Sequence, residues 1–229
     1  MNDKIHDTND SYLEERPLWH SERSQWKAEQ VVSAISKAGI EPKSICDIGC
    51  GTGLALKIVK DMMPCIKKKP IGYEPSVHAT VHVEAENMID FRRCGITSID
   101  ENFDVALMLD VFEHVDDYIG FLREAKEIST YHVFHIPLDV TISNVLRTKL
   151  LGSRKSVGHL HYFTAASAIA TLEYVGYKVL YKNFTCAGWQ GAGKNPVSPV
   201  NIARRALYKI SPELLSLTIG GVSLIVVAG

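Results

Sequence analysis

A short β-prone run that leads straight into three alternate glycines constrains the fold of this chain more than any other feature. The run is Ser44 to Ile48, and the glycines are Gly49, Gly51 and Gly53. A helical segment follows at once, at Leu54 to Met63. Glycine lets a backbone turn sharply and approach a ligand closely, and the N-terminus of the following helix adds N–H groups. The sequence therefore predicts a strand, a loop and a helix that together cradle a ligand.

Strand and helix patterns alternate along the rest of the chain. The continuous apolar run Phe103 to Leu109 is typical of a buried parallel strand, and Asp117 to Ser129 carries one apolar stripe, as an amphipathic helix does. The alternation predicts an α/β fold, with a mostly parallel Rossmann-like sheet and helices on both faces. Strands are predicted at 44–48, 70–73, 88–93, 103–109, 131–136, 177–184 and 217–227; helices at 24–38, 54–63, 76–86, 117–129, 165–175 and 200–207; and a polar loop at 138–162.

The length and composition fit one globular domain. The chain has 229 residues, of which 46% are hydrophobic and 22% charged. We expect a single domain over residues 1–229, with an N-terminal cap or lid at 1–40 and an insertion at 186–216 before the last strand. Long irregular connections usually have a function, such as covering a ligand. The candidate lid side chains are Tyr12, Trp19, His20 and Trp26.

Charge and cysteine content argue against several kinds of partner. The net charge is −1 and the pI about 6.7, so the basic field of a nucleic-acid-binding protein is missing. The five cysteines include no Cys-x-x-Cys pair, which disfavours structural zinc and indicates a reducing compartment. The first ten residues are polar, and the most apolar stretch, Leu214 to Ala228, is interrupted and too short to span a bilayer comfortably. We expect a cytoplasmic protein without stable membrane insertion.

The glycine spacing narrows the choice of cofactor. Dinucleotide-binding loops use G-x-G-x-x-G, whose third glycine lies three residues after the second. Here all three glycines alternate and Asp47 precedes them, which disfavours NAD. Glu74 follows the predicted strand 70–73. A carboxylate at the tip of the second strand can accept hydrogen bonds from both hydroxyls of a ribose. A different nucleoside cofactor is therefore indicated.

Four motifs together resemble those of a known family. They are Asp47-x-Gly49-x-Gly51-x-Gly53, Glu74-Pro75, Phe103-Asp104-Val105 and Asp110-Val111-Phe112-Glu113-His114-Val115. In this combination the chain, over about residues 43 to 185, resembles the class I S-adenosylmethionine-dependent methyltransferases, especially the small-molecule type 11 and ubiquinone-methyltransferase-like members. The resemblance implies S-adenosylmethionine as methyl donor and S-adenosylhomocysteine as product. It also implies a seven-stranded sheet whose last strand is antiparallel and inserted between strands five and six.

The resemblance further implies a set of cofactor contacts. Asp47 and Asp110 would face the methionine ammonium, and Glu74 would hold the ribose. The family often has an acid after the third strand, but this chain has none there, so the backbone near Ile96 or the Thr97 hydroxyl is expected to bind the adenine. The full set comprises Asp47, Gly49, Cys50, Gly51, Gly53, Glu74, Pro75, Ile96, Thr97, Leu109 and Asp110.

Histidines are the candidate catalytic residues. A base is needed only if the acceptor must lose a proton, and imidazole titrates near neutral pH. His161, His159 and His114 follow predicted strands on the expected ligand side and are the candidates, whereas His135 lies within a predicted strand and is expected to be structural. The grouping of Asp110, Glu113 and His114 with His159 or His161 also resembles the metal site of small-RNA 2′-O-methyltransferases and some quinone-biosynthesis O-methyltransferases. We expect no metal, because Asp110 should be engaged with the cofactor.

These observations predict a methyltransferase that acts on a small-molecule, glycan-like or lipid-linked acceptor, most readily at oxygen. The alternatives are an N-methyltransferase of a small metabolite and a non-catalytic protein that only binds S-adenosylmethionine. The neutral charge disfavours a nucleic-acid substrate. A monomer or a homodimer is expected, with the apolar and basic segment 200–217 as a possible acceptor or dimer surface.

Overall fold

A seven-stranded sheet forms the centre of the computed structural model, which describes residues 23–77, 79–82, 84–188 and 198–229. The strands are β1 (Ile45–Ile48), β2 (Ile71–Tyr73), β3 (Asp90–Arg92), β4 (Phe103–Leu109), β5 (Ser129–Pro137), β6 (Val179–Thr185) and β7 (Ser223–Ala228). Their order in the sheet is β3-β2-β1-β4-β5-β7-β6. The first five pair in parallel, and β7 lies antiparallel between β5 and β6. The predicted Rossmann-like sheet with an inserted antiparallel last strand is confirmed.

Helices cover both faces of the sheet, as predicted. In the described ranges they are α1 (Ser24–Lys37), α2 (Leu54–Met62), α3 (Tyr118–Lys126), α4 (Ile142–Leu146), α5 (Lys149–Val157), α6 (Ala165–Val175), α7 (Pro199–Ile210) and α8 (Pro212–Leu217). Helices α1 and α2 share one core with Val105 and Leu107, whereas α3 and α6 share another with Ala106 and Met108. The alternation along β4 thus supplies both cores, as expected for a central strand. Among the described residues, no helix has the length and apolarity required to cross a membrane.

Three element predictions were wrong. The described residues of the segment 76–86 form turns and irregular backbone rather than a helix, and the His82 N–H donates to the Thr52 carbonyl oxygen, at 2.9 Å, instead of closing a helical turn. The predicted loop 138–162 contains α4 and α5. The last strand begins at Ser223 rather than Leu217, which ends α8, because Gly220 and Gly221 take positive φ values and separate the two elements.

The strand order determines where a ligand can bind. Strands β2 and β4 lie on opposite sides of β1, so the connection from β1 to β2 runs toward one edge of the sheet and the connection from β4 to β5 toward the other. Open α/β sheets bind ligands at such a point, beyond the carboxyl ends of the strands. The glycine loop after β1 and the loops after β2, β4 and β5 all meet there.

The start of α6 offers a test of the local structure. Thr164 was predicted as its N-cap, and its hydroxyl accepts a hydrogen bond from the Ser167 N–H, at 3.1 Å. We expect Thr164→Ala to lower the free energy of unfolding by about 1 kcal/mol, because this N–H loses its acceptor. Urea unfolding followed by circular dichroism measures the change. The matched variant Thr164→Ser keeps the hydroxyl and is expected to stay within a few tenths of a kcal/mol of the unmodified protein; an equal loss would contradict the cap.

Candidate active site

A cleft of about 700 Å³ lies at the carboxyl ends of β1, β2, β4 and β5. The residues that the sequence predicted for the site and that line this cleft are Asp47, Gly49, Cys50, Gly51, Glu74, Pro75, Ile96, Thr97, Leu109, Asp110, His114 and His159. Two predicted residues do not line it. Gly53 serves as the N-cap of α2, and His161 faces elsewhere. Most of the predicted set is therefore brought together in one cavity.

The glycine loop takes a conformation that requires glycine. Gly49 has a φ of +76°, and a Cβ at this position would come within 2.9 Å of Cγ2 of Val111. The N–H groups of Gly49 and Cys50 both donate to the Tyr73 carbonyl oxygen, at 2.8 and 3.1 Å. The loop is thus packed between the end of β2 and the segment that follows β4, and its backbone forms one wall of the cleft.

Glu74 links the glycine loop to the segment after β2. Its carboxylate is buried and accepts hydrogen bonds from the N–H groups of Gly51 and Ser76, each at 2.9 Å. Burial raises the pKa of Glu74 above its ordinary value, and the two N–H donors oppose that shift. Each carboxylate oxygen can accept more than one hydrogen bond. Glu74 therefore retains acceptor capacity toward the cleft that it lines, where a vicinal diol is a matching ligand.

Asp47 is a buried carboxylate that lacks one partner. Its Oδ1 has no hydrogen-bond donor among the described residues, although the residue lines the cleft. Burial raises the pKa of Asp47 to about 8; Lys27 acts to lower this pKa and Glu74 to raise it. Leaving a buried acceptor unpaired costs about 1–3 kcal/mol. A cationic group bound in the cleft would supply the missing donor and favour the ionised carboxylate.

Asp110 has a left-handed backbone conformation and a firmly held side chain. Its φ of +62° lies in the left-handed region, which is unusual for a residue with a side chain. Oδ2 accepts a hydrogen bond from Lys27 Nζ at 2.8 Å, and Oδ1 lies 2.5 Å from His135 Nδ1. Burial alone would raise the pKa of Asp110, but Lys27 and His135 hold it well below its usual range. Both carboxylate oxygens thus have protein partners, and Asp47 offers the freer carboxylate to a ligand cation.

His135 positions this ion pair. It is buried in β5, as expected for a structural residue, and its Nε2 lies 3.0 Å from Thr185 Oγ1. The Trp26 ring meets the imidazole edge to face, at 5.6 Å between centroids. Lys27, Asp110, His135 and Thr185 therefore form a continuous polar chain from α1 through the ends of β4 and β5 to β6.

Two of the three candidate bases lie side by side on the cleft wall. His159 Nδ1 lies 2.5 Å from Asp139 Oδ2, and His114 Nδ1 lies 3.1 Å from the carbonyl oxygen of Gly158. The two imidazoles meet edge to face, with centroids 4.9 Å apart. The third candidate, His161, has its Nε2 3.0 Å from the Val115 carbonyl oxygen and does not line the cleft.

Glu113 lies beside these histidines. It is fully buried, and neither carboxyl oxygen has a hydrogen-bond partner among the described residues. Burial, together with nearby carboxylates, raises the pKa of Glu113 well above its ordinary value and favours the neutral form. One oxygen of Glu113 and one nitrogen each of His114 and His159 lie within 4.8 Å of one another. Such a grouping is able to hold a divalent cation, and Asp110, which sequence reasoning placed with it, is not among its members.

Sequence reasoning missed two residues of the site. Asp139 follows the end of β5 by two positions. Its position after a strand, at the edge of the sheet where ligands bind, could therefore have identified it from the sequence. Lys27 gave no such signal, because its partner lies on a distant strand and only the fold brings them together. Of the proposed lid side chains, Trp26 is buried in α1 and lines the cleft, whereas Tyr12, Trp19 and His20 lie outside the described residues.

The fold and the site together define the class of protein. A sheet with its seventh strand inserted antiparallel, and a glycine loop that faces an acid at the end of β2, form the class I methyltransferase architecture. The sequence model of the family described as "Methyltransferase domain" matches residues 18–182, well over half of the chain. The chain belongs to this family, the S-adenosylmethionine-dependent methyltransferases.

Curated relatives match a shorter part of the chain. The ubiquinone biosynthesis O-methyltransferase of Rhodopseudomonas palustris is 33% identical over 103 residues, which cover 42% of this chain and 39% of the relative. The enzyme of the same name from Pseudomonas aeruginosa is 24% identical over 121 residues, which cover 48% of this chain and 52% of the relative. The chain therefore spans about two fifths to half of the length of these relatives.

Solved structures share the fold at low sequence identity. The cyclopropane synthase MmaA2 from Mycobacterium tuberculosis has a TM-score of 0.62 at 16% identity, covering 89% of this chain and 83% of the other. The magnesium protoporphyrin IX methyltransferase from Synechocystis, with bound S-adenosylhomocysteine, has a TM-score of 0.59 at 14% identity, covering 89% and 82%. These likenesses support the architecture.

The residues present fit S-adenosylmethionine on three counts. The unpaired Oδ1 of Asp47 suits the methionine ammonium, and the carboxylate of Glu74 suits the ribose hydroxyls. The absence of a side chain at Gly49 keeps the loop close to Val111, so the backbone itself borders the cleft. The cofactor of this family is therefore compatible with the cleft as it stands.

The ion pair between Lys27 and Asp110 is expected to stabilise the folded protein. We expect Lys27→Met to lower the free energy of unfolding at pH 7 by about 1–2 kcal/mol, because Asp110 loses its cation in a partly buried site. The pair lowers the folded-state pKa of Asp110, so its contribution is present above the unfolded pKa of about 4 and is lost as the pH falls further. The difference between the two proteins should therefore narrow in acid.

Urea unfolding at a series of pH values measures this effect. Lys37→Met, at the exposed end of the same helix, is the matched control and should change stability by a few tenths of a kcal/mol at most. A difference between the Lys27→Met variant and the unmodified protein that stays constant in acid would show that the lysine acts through packing alone.

Proposed function

We propose that this protein transfers a methyl group from S-adenosylmethionine to a hydroxyl oxygen of a small-molecule or glycan-like acceptor, with His159 as the base. The observation that carries the proposal is the pairing of His159 with Asp139 on the wall of the cleft, 2.5 Å apart. The resemblance to ubiquinone biosynthesis O-methyltransferases supports transfer to oxygen. A cytoplasmic location, a single domain and a monomeric or homodimeric state belong to the same proposal.

His159 has the arrangement that a base requires. When the proton is on Nδ1 and donates to Asp139, the lone pair is on Nε2, and the imidazole is held in a single orientation. Asp139 thus acts as a positioning residue. The carboxylate also stabilises the imidazolium that forms when His159 accepts a proton. His161, whose ring is directed to the Val115 carbonyl oxygen, lacks this arrangement, so the role of base passes from His161 to His159.

The remaining residues of the cleft would bind and align the methyl donor. When bound, S-adenosylmethionine supplies a methyl group on a positively charged sulfur, which an acceptor oxygen displaces in line. Asp47 would bind the ammonium and Glu74 the ribose, while Ile96 and Thr97 border the place expected for the adenine. Holding donor and acceptor in alignment supplies a large part of the rate of such a reaction. Leu109, Asp110 and Pro75 complete the proposed cofactor contacts.

The size and charge of the site favour a small acceptor. A cleft of about 700 Å³ falls within the usual range for small-molecule sites. The net charge of −1 lacks the basic excess that a phosphate backbone attracts. The alternative acceptor atom is nitrogen, which needs no proton removed when the amine is neutral. A non-catalytic role in cofactor binding is the other alternative, and it would leave the pairing of His159 with Asp139 without a purpose.

A metal-assisted reaction is a second candidate, favoured by the grouping of Glu113, His114 and His159 within 4.8 Å. A divalent cation there would lower the pKa of a coordinated acceptor hydroxyl, so that no separate base would be needed. The two candidates differ in what they demand of His159, which is a base in one and a ligand in the other.

We expect His159→Ala to lower turnover about 100-fold, the usual contribution of a general base, while the affinity for S-adenosylmethionine stays the same. Release of S-adenosylhomocysteine with a panel of small phenols, catechols and sugars measures turnover, and calorimetry measures affinity. His161→Ala is the matched control and should retain most of the activity. Asp139→Asn should lower kcat by a smaller factor, because the base remains but loses its orientation.

Other results would contradict this assignment. Equal losses in the His159→Ala and His161→Ala variants would mean that neither histidine is the base. Activity of the unmodified protein that disappears in a chelator and returns with a divalent cation would support the metal-assisted reaction instead. Full activity in chelator would exclude the metal.

We expect Glu74→Ala to raise the Kd for S-adenosylmethionine at least about tenfold, equivalent to about 1.4 kcal/mol, because the ribose hydroxyls lose their acceptor. The variant should also unfold more easily, since the N–H groups of Gly51 and Ser76 lose theirs. Titration calorimetry measures the first effect and urea unfolding the second. Glu86→Ala, at an exposed glutamate, is the control and should change neither. An unchanged Kd in the Glu74→Ala variant would remove Glu74 from the cofactor site.

A further inference from the structure

Helix α7 exposes apolar side chains to solvent in addition to Leu207 and Tyr208, which pack against the core. Ile202, Ala203, Ala206 and Ile210 recur at the three- and four-residue spacing of one helix face, and all four are exposed, Ile202 to 58% and Ile210 to 79%. A surface helix normally directs such residues to the core and its charges outward. Here Arg204 and Arg205 are half-buried, and Lys209 is the exposed charge of the helix. The outer face of α7 is therefore built for contact with something other than water.

Further exposed aliphatic side chains lie on α8, which follows α7 in the chain, and on α4 and α5. The Ser143 N–H donates to the Thr218 carbonyl oxygen at 3.0 Å, which joins the start of α4 to the end of α8. Exposed aliphatic side chains of α4, α5 and α8 are Ile142, Val145, Leu146, Leu151, Leu214 and Leu217. Single exposed aliphatic residues are ordinary, but a set on adjoining helices marks an interaction surface. We call residues 142–157 and 199–217 the apolar–basic surface.

The same segments carry a strong positive charge. Residues 142–157 and 199–217 contain seven basic side chains and one acidic side chain, Glu213. The chain as a whole has a net charge of −1, so the remainder is acidic. Arg147, Lys149, Arg154 and Lys155 are all exposed. Aliphatic side chains and cations are thus interleaved along the same helices of an otherwise acidic protein.

We propose that the apolar–basic surface docks on an anionic phospholipid bilayer. Amphipathic helices bind at the headgroup level when aliphatic side chains enter the acyl boundary and lysines and arginines meet the lipid phosphates. Helices of 5 to 12 residues, as α4, α5, α7 and α8 are, are too short to cross the bilayer and suit this interfacial position. A second copy of the chain is a poorer occupant, because a two-fold interface would oppose two surfaces of the same positive charge.

The surface adjoins the cleft. Val157, the last residue of α5, lines the cleft together with His159. Ala187, which precedes α7 in the chain, and Ser223, which follows α8, also line it. A docked molecule would therefore have the opening of its cleft beside the membrane. Docking on a bilayer would require neither the acceptor nor methyl transfer, since it depends only on the exposed aliphatic side chains and the positive charge of the apolar–basic surface.

Co-sedimentation of the full chain with vesicles tests the proposal. We expect at least about tenfold more protein bound to vesicles of phosphatidylcholine mixed with phosphatidylglycerol than to phosphatidylcholine alone. Binding should fall with added salt, because the surface charges become screened. The double variant Ile202→Ser/Ile210→Ser should lose most of the binding, and Lys149→Glu/Arg154→Glu should lose the preference for the anionic vesicles.

A matched control variant and a measurement of folding distinguish loss of vesicle binding from loss of structure. Tyr174→Ser removes an aromatic side chain that is 72% exposed on α6, outside the surface, and should bind like the unmodified protein. Circular dichroism identifies any variant that fails to fold, and the charge-reversal variant, which alters only exposed residues, provides the second reading. Absence of vesicle binding by the unmodified protein, or equal binding to both vesicle types, would overturn the proposal. So would a concentration-dependent dimer that the isoleucine variant dissociates.

Discussion

The geometry of the whole site depends on how the end of β2 holds the glycine loop. The Tyr73 carbonyl oxygen accepts two hydrogen bonds from the start of the loop, and the next residue, Glu74, accepts a third from Gly51. These bonds use backbone groups that the loop would otherwise leave unpaired in a buried place. The same three contacts continue the pairing of β1 with β2 beyond the strand ends and hold Glu74 at the cleft.

The regular elements could be predicted where their side chains pack on the sheet. Phe103–Leu109 and Ala165–Val175 have the predicted bounds, because a buried strand and a capped helix both leave periodic signals in sequence. The irregular backbone described within 76–86 could not be predicted, since the His82 N–H bonds to Thr52, a contact that only the tertiary structure provides. Helices α4 and α5 were missed for a different reason. Their apolar residues face outward, so no core-facing stripe exists to be detected.

The site was predictable to the extent that it follows the strand ends. The loop after β1, Glu74 after β2 and Asp110 after β4 meet at one edge because parallel strands carry them there. Which side chains pair with one another depends on angles that a sequence does not specify. The choice between His159 and His161, two residues apart, rests on the direction in which the chain leaves α5. The partner of Asp110 was similarly hidden, because Lys27 reaches it from a helix on one face of the sheet.

Asp110 has a left-handed backbone, with a φ of +62°. The residue that is best for stability at this position therefore differs from the residue that is best for the function of the cleft. Glycine would adopt the same conformation at lower cost, yet it has no charge to pair with Lys27. Selection for thermal stability alone would therefore favour glycine at position 110. The resulting variants would have a less strained backbone but would lack the negative charge in the cleft. The aspartate at this position is therefore explained by its charge in the cleft and not by the conformation of its backbone.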